Sequence, residues 1–345
     1  MALLRIEDSH GGVGWGEIWG NFPSFTIEHR ATLAAWALPD NLIGAQISTP
    51  SIFCEELAAK LRVLKVQSAE DGPVNSVVAA TNQALWDLSA RNAGMPLQRL
   101  LRSDAPNAVA AYSSGLNPKD CVEVVERERQ NGYRAFKLKI GFDGDIDQRN
   151  LSAIRAGMQT GERLFVDANQ RFSLAEARQQ ISLLEEMAVD WWEEPMIADA
   201  PADDWRTLNS ETSIPLAGGE NLLDMADFRT ACEWFAFMQP DIGKWGGVDG
   251  CLEVARMAAK SGAIYCPHWL AGGVGLMHSA NLLAAASGDG VLEVDSNDNP
   301  LRTTLIETVP GIDNGLFHLN DEPGIGIDPP VDQMATWLKS HETFH

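Results

Sequence analysis

Seven short apolar segments between residues 136 and 295 each close on an ionisable side chain, at intervals of one strand-plus-helix unit. FKLKIG (136–141) presents Lys139, RLFVDAN (163–169) Asp167, DWWEEP (190–195) Glu193 and PLAGGEN (215–221) Glu220. FAFMQPDI (235–242) presents Asp241, IYCPHW (264–269) His268 and VLEVD (291–295) Glu293. Successive members are 28, 26, 27, 21, 27 and 25 residues apart. With AVAAYSS (108–114) ahead of them, eight strands are expected. Amphipathic stretches such as PKDCVEVVERERQNG, SLAEARQQISLLEEM and GVDGCLEVARMAAKSG lie in the seven gaps; several open on Ser, Asp or Pro and close near Gly. Eight strands alternating with seven helices predict an α/β fold, a β/α barrel over residues 108–302.

Residues 1–107 break the rhythm. LLRIED and VGWGEIW flank the turn DSHGG, and helical patterns follow near EELAAKLRVLKVQ and NSVVAATNQALWDLSARNAG. This predicts an α+β domain packed before the barrel. The segment 303–345 carries turn residues, as in LNDEPGIGIDPP, shows no helical pattern before MATWLKSHE, and is expected to return to the first domain.

Composition bounds the partners. The chain of 345 residues is 45% hydrophobic and 21% charged, as in soluble globular proteins, and no apolar run approaches the roughly 18 residues of a membrane span. MALLRIEDSHGG lacks the features of a secretory signal. The five cysteines form no CxxC pair and are odd in number, so reduced thiols in a cytoplasmic compartment are expected. A net charge of −22 argues against nucleic acid as a partner. It leaves a small anion open, because a local metal or lysine cluster outweighs the mean field. The expected partner is a small molecule, and a homo-oligomer is expected.

Strand ends are where barrels of this kind place their chemistry. Asp167, Glu193 and Glu220 stand on three successive strands, where three converging carboxylates repel unless a proton or a cation relieves them. Singly, each would be read as a helix cap or ion-pair partner; together they are read as hard oxygen ligands suited to Mg²⁺. Asp241 and His268 fall on neighbouring strands, so the carboxylate can hold one imidazole nitrogen and raise the basicity of the ring. The other histidines are read as structural. Glu293 is open to two readings, a buried acid kept protonated or a salt bridge to Arg302 or another base. Lys244 reaches the cavity or caps a carbonyl. GGVGLMHS (272–279) lacks phosphate-loop spacing and reads as the turn opening a helix.

FKLKIG, VDAN, WEEP, GGEN, QPDIGKWGG and CPHW, with ALWDLSARNAGMPLQRLL in the first domain, together resemble the enolase superfamily and, within it, the mandelate racemase subgroup. The resemblance spans essentially the whole chain. It implies a (β/α)7β TIM-like barrel under an α+β capping domain. Asp167, Glu193 and Glu220 match the family's Mg²⁺ ligands, Lys139 the base on one substrate face, and His268 with Asp241 the acid/base on the other. Glu293 matches the acid that hydrogen-bonds the substrate carboxylate, and Asn169 sits where such proteins also contact it. Lys137, two residues before Lys139 on the same strand face, is expected to bind the substrate through its carboxylate and to tune Lys139. Aspartate at 241 favours this subgroup over the muconate-cycloisomerase-like branch. MALLRIEDSHGGVGWGE resembles the second strand of the family's cap, so either a truncated or mis-started sequence or an abbreviated cap is expected. Dehydration of a sugar acid is the favoured reaction, racemisation or epimerisation of a 2-hydroxy acid the alternative, and an inactive binding protein the second alternative.

Overall fold

The computed structural model describes every residue except Ser24 and Val331. Two antiparallel strands, β1 (Ala2–Glu7) and β2 (Val13–Ile18), open the chain around the DSHGG turn. They pack on the helices Thr26–Ala37, Pro50–Ser68 and Asp71–Asn92 through Ile18, Leu57, Val77 and Leu85. The glycines of VGWGE permit this contact. A Cβ on Gly14 or Gly16 would lie 2.0 Å from the carbonyl oxygen of Ala84 or Ala80, so no larger residue lets β2 approach the long helix.

The eight barrel strands are β3 (Ala108–Leu116), β4 (Ala135–Lys139), β5 (Arg163–Asp167), β6 (Trp191–Glu193), β7 (Leu216–Gly218), β8 (Phe235–Met238), β9 (Ile264–Tyr265) and β10 (Val291–Asp295). β3 to β9 pair in order and in parallel, and β10 returns to pair with β3. The N–H of Val291 also reaches Cys266 Sγ just beyond β9 (3.5 Å), so the ring closes. Seven helices lie between the strands, as the spacing predicts.

Alternation along the strands sorts the side chains into layers. Phe136, Leu138, Leu164, Val166, Trp192 and Met238 belong to the large core shared with the helices. Tyr112, Ala135, Phe165, Trp191, Ala217, Phe237, Cys266 and Val291, one from each strand or its immediate extension, form a separate apolar plug inside the barrel. Phe165 and Trp191 stack at 3.7 Å between ring centres, with Tyr112 edge-on to both.

The tail departs from expectation in two ways. A hairpin, β11 (Gly311–Asp313) and β12 (Leu316–His318), pairs antiparallel with β3 of the barrel. Only the following stretch returns to the first domain, where Asp87 accepts from the N–H of Ile325 (2.8 Å) and Arg91 donates to the carbonyl of Ile327 (2.5 Å). MATWLKSHE forms only a 3-10 turn, Ala335–Trp337, because Trp337 and Leu338 are exposed and find no surface to bury a helical face against. Among the described residues no helix is long and apolar enough to cross a membrane.

The first domain is tied to the barrel by polar side chains. Asn82 Oδ1 accepts from the N–H groups of Val248 (2.8 Å) and Asp249 (3.3 Å), capping the helix Gly247–Ser261 from outside its own segment. Asp249 in turn accepts from Asn82 Nδ2 (2.6 Å), Trp86 Nε1 (3.0 Å) and Ser51 Oγ (2.8 Å). Asn82→Leu should therefore lower stability by about 1–3 kcal/mol, since it strands these buried partners; an unchanged denaturant midpoint would remove the clasp from the account. His278, in the fully buried helix Gly273–Ala285, donates from Nε2 to the carbonyl of Trp15 (2.8 Å), and burial pushes its pKa down to about 4. The folded protein holds this ring neutral while the unfolded chain protonates it below about pH 6.5. Its contribution is thus lost as pH falls from about 6.5 towards 4, to a total of about 3 kcal/mol. In His278→Gln, stability measured against pH should lose that share of its acid dependence.

Candidate active site

Two residues beyond seven of the eight members of the plug, the inward positions turn polar. Above Tyr112, Ala135, Phe165, Trp191, Phe237, Cys266 and Val291 stand Ser114, Lys137, Asp167, Glu193, Gln239, His268 and Glu293. Lys139, Asn169 and Asp241 form a further step towards the strand ends, while Glu220 follows Gly219 just past β7. The parallel register sets Lys139 beside Asp167, Asp167 beside Glu193 and Asp241 beside His268.

Lys137 lies at the centre. Its Nζ donates to Glu193 Oε1 (2.5 Å) and Glu293 Oε1 (2.7 Å), and stands 3.7 Å from Asp167. Below, it faces the Tyr112 ring at 5.5 Å. Burial disfavours the ammonium, but Glu193 and Glu293 outweigh burial and hold its pKa well above the usual lysine range. In place of the expected substrate contact, Lys137 contacts the protein's own acids, because its side chain is buried beneath them. Gln239 Nε2 donates to the other oxygen of Glu193 (2.7 Å).

Glu293 resolves its two readings. Burial works to raise its pKa, yet Lys137 and His268 bring it down to about 2, so in this arrangement it is ionised rather than a neutral donor. Ser114 Oγ (2.6 Å) and the N–H of Trp269 (2.9 Å) also donate to it. Its base is Lys137; Arg302 pairs instead with Asp295 (3.1 Å).

Lys139 donates to Asn169 Oδ1 (2.5 Å) and lies 3.8 Å from Asp167. Asn169 and Glu194 both adopt left-handed backbone, φ 41° and 37°, uncommon for residues with a Cβ. The turn is held by hydrogen bonds from the N–H of Ala168 to Glu193 O (3.0 Å) and from Gln170 to Glu194 O (2.8 Å), so backbone strain is stored where β5 and β6 end.

On the other side, His268 Nδ1 pairs with Asp241 Oδ2 and Nε2 with Glu220 Oε2, each at 2.7 Å. Burial opposes the imidazolium, but Glu220, Glu293 and Asp241 outweigh it and hold the ring protonated well above the ordinary histidine range. Lys244 reaches the cavity. Its Nζ donates to Glu220 Oε1 (3.2 Å) and Asn221 Oδ1 (3.1 Å), 4.6 Å from the ring centre of Trp19 in the first domain. Although burial raises the pKa of Glu220, His268 and Lys244 prevail and hold it well below the usual range.

Sequence reasoning passed over Ser114, Gln239, Glu194 and Asn221. Ser114 and Gln239 carry no charge to draw attention, but their position two residues past a plug aromatic is a usable signal. Asn221 donates to both oxygens of Glu194 (2.9 and 3.0 Å), a buried acid whose pKa is driven well above normal by burial and by Glu220 and Asp167. Glu193 is likewise pushed up to about 8, by burial first and then by Asp167, Glu293 and Glu220 against Lys137.

Among the described residues, no three His, Cys, Asp or Glu side chains close on a single point at ligand distance. Lys137 and His268 engage Glu193 and Glu220 individually. The donor set nevertheless fits a hard divalent cation. Six carboxyl groups (Asp167, Glu193, Glu194, Glu220, Asp241 and Glu293) face four basic groups (Lys137, Lys139, Lys244 and His268). Fully ionised, the set carries two negative charges more than positive ones, the charge of one such ion, and the raised pKa values of Glu193 and Glu194 are the mark of that uncompensated excess. Among the charged groups in these ion pairs, Lys139, Lys244 and Glu220 have side chains 20%, 12% and 11% exposed, whereas those of Lys137, Asp167, Glu193 and Glu293 are at most 2% exposed. A small molecule entering the barrel mouth therefore meets the first three.

Residues 1–102 match the family described as "Mandelate racemase / muconate lactonizing enzyme, N-terminal domain", and residues 120–333 match "Enolase C-terminal domain-like". The fold superposes on a crystal structure of mandelate racemase/muconate lactonizing enzyme from Bordetella bronchiseptica RB50 with a TM-score of 0.92 and 41% identity, over 97% of this chain and 94% of that one. The D-galactarolactone cycloisomerase of Agrobacterium fabrum is 28% identical, over 96% of this chain and 90% of its own. The D-galactonate dehydratase of Verminephrobacter eiseniae is also 28% identical, over 94% of this chain and 88% of its own. On these matches the chain is an enzyme, and it belongs to the mandelate racemase/muconate lactonizing enzyme group of the enolase superfamily.

Proposed function

We propose that the protein abstracts the α-proton of a carboxylate substrate to form an enediolate, with Mg²⁺ as its metal, and that the net reaction is dehydration of a sugar acid to a 2-keto-3-deoxy acid. The observation that carries the reading is the flanking of three carboxylate-bearing strand ends by two different proton carriers. Lys139 ends β4, His268 follows β9, and Asp167, Glu193 and Glu220 stand between them on β5 to β7.

Asp167, Glu193 and Glu220 would hold the metal, which when bound polarises the substrate carboxylate and offsets enediolate charge. Lys139, as the neutral amine, takes the proton from C2, and Asn169 Oδ1 orients its Nζ. The C2–H electron pair enters the enediolate, whose collapse breaks the C3–O bond. His268 gives its proton to the departing hydroxyl, which leaves as water, and the enol then ketonises. Asp241 holds the imidazole through Nδ1, so that Nε2 is the nitrogen that exchanges protons. The two carriers equally permit racemisation or epimerisation of a 2-hydroxy acid, in which His268 returns a proton to C2 from the opposite face.

Incubation with aldonic, aldaric and simple 2-hydroxy acids in D₂O with Mg²⁺ distinguishes these outcomes. Keto acid formation is expected; deuterium exchange with inversion and no keto acid would select the racemase reading. Absence of both keto acid and C2 exchange with every acid would sink α-proton abstraction and favour the binding-protein reading. EDTA should abolish turnover and added Mg²⁺ restore it.

The two lysines of FKLKIG should separate on mutation. Lys139→Ala should remove exchange from one substrate face while leaving the thermal transition near that of the parent; retained exchange on both faces would strip Lys139 of its role. Lys137→Met leaves buried acids without their cation and should destabilise the fold by about 3–5 kcal/mol, read from chemical denaturation.

A further inference from the structure

We propose that Glu17, a residue of the first domain, is a positioning residue for the His268–Glu293 end of the active site; the role rests on the proton-transfer reading of His268 above. Glu17 lies on β2 and is fully buried. Its Oε1 accepts from the N–H of Gly272 (2.7 Å) and its Oε2 from the N–H of Gly275 (3.0 Å). These donors open the helix Gly273–Ala285, which has no side-chain cap of its own.

From that turn the contacts lead to the catalytic groups. Trp269 Nε1 donates to the carbonyl of Gly272 (2.8 Å), and the N–H of Trp269 donates to Glu293 Oε2 (2.9 Å). Trp269 directly follows His268 in the chain. The turn is moulded to both partners. A Cβ on Gly272 would lie 2.6 and 2.7 Å from the Glu17 oxygens, and one on Gly275 would lie 2.0 Å from the Trp269 ring. The first domain is held at the same place through Gln83, which accepts from the N–H of Glu17 (3.1 Å) and donates to the carbonyl of Ile242 (3.1 Å), next to Asp241. A shift of Glu17 is therefore passed through Gly272 and the Trp269 indole to the backbone that carries His268 and binds Glu293.

Burial pushes the pKa of Glu17 up to about 7 against the N–H groups of Gly275 and Gly272, with the amino terminus of Met1 opposing the rise less and Asp241 adding to it. Glu17→Gln keeps the shape but turns an amide N–H₂ towards one of the two backbone donors. With an acid that the parent protein processes, this variant should lower proton transfer at the His268 face about tenfold or more, and at the Lys139 face less than about twofold. Trp269→Phe, which keeps an aromatic six-membered ring but loses the indole N–H and its bond to Gly272, should show the same one-sided loss. Equal losses at both faces, or none, would overturn the proposal.

A substrate-free measurement decides the linkage separately. In protein labelled with ¹⁵N-tryptophan, the Trp269 indole signal is the one missing from Trp269→Phe. It should shift with a midpoint near pH 7 in the parent and lose that transition in Glu17→Gln. A signal whose position and pH response are the same in parent and variant would show Glu17 to be uncoupled from Trp269. If the parent neither dehydrates nor exchanges any acid, the proposed reaction fails, and the indole titration still settles whether Glu17 governs this turn.

Discussion

One buried ammonium holds the mouth of this barrel together. Lys137 ties β4 to Glu193 on β6 and to Glu293 on β10, so its two short bonds run across the interior rather than along the ladder between neighbours. Desolvating a lysine is expensive, and so is desolvating each acid; mutual pairing makes all three tolerable. The plug beneath excludes water from this layer, and the face of Tyr112 presents negative π density to the same ammonium. The placement of Glu193 and Glu293, and through Glu293 the backbone N–H of Trp269, depends on that cation.

The charge layout above Lys137 is asymmetric. On the β4–β5 side, Lys139 is held by a neutral amide and is the most exposed of the site's ion-paired charges. Towards β7–β9, His268 is clasped between Asp241 and Glu220, with Lys244 on the remaining oxygen of Glu220. One basic group thus sits in a mildly polar, reachable setting and the other inside a dense acid–base chain. Such a difference suits two groups that perform different steps.

Much of this was legible in the sequence because barrel strands impose local periods. The eight strands and their ionisable ends follow from alternation and pitch, and the Asp241–His268 contact from the adjacency of their strands. Charge states did not follow. Whether Glu293 is a neutral acid or an anion depends on Lys137, which reaches it from 156 positions earlier in the chain. Lys244 was ambiguous for the same reason: its partners Glu220 and Asn221 lie on another strand end, and Trp19 on another domain. The hairpin of β11 and β12 escaped notice because three-residue strands separated by Asn-Gly carry little apolar signal. MATWLKSHE misled in the opposite sense, as its apolar residues follow a helical spacing without a surface to receive them.

The stacked rings of Phe165 and Trp191, with Tyr112 against their edges, set which way the site faces. They fill the barrel below the polar layer, so its ionisable groups face the strand-end side. The first domain stands at that same side. Because Trp19 of that domain stands beside Lys244 and Glu17 is fastened to the turn behind His268, the first domain and the polar rim of the barrel are parts of one frame. A change in the seating of the first domain is therefore felt at two separate points of that rim at once.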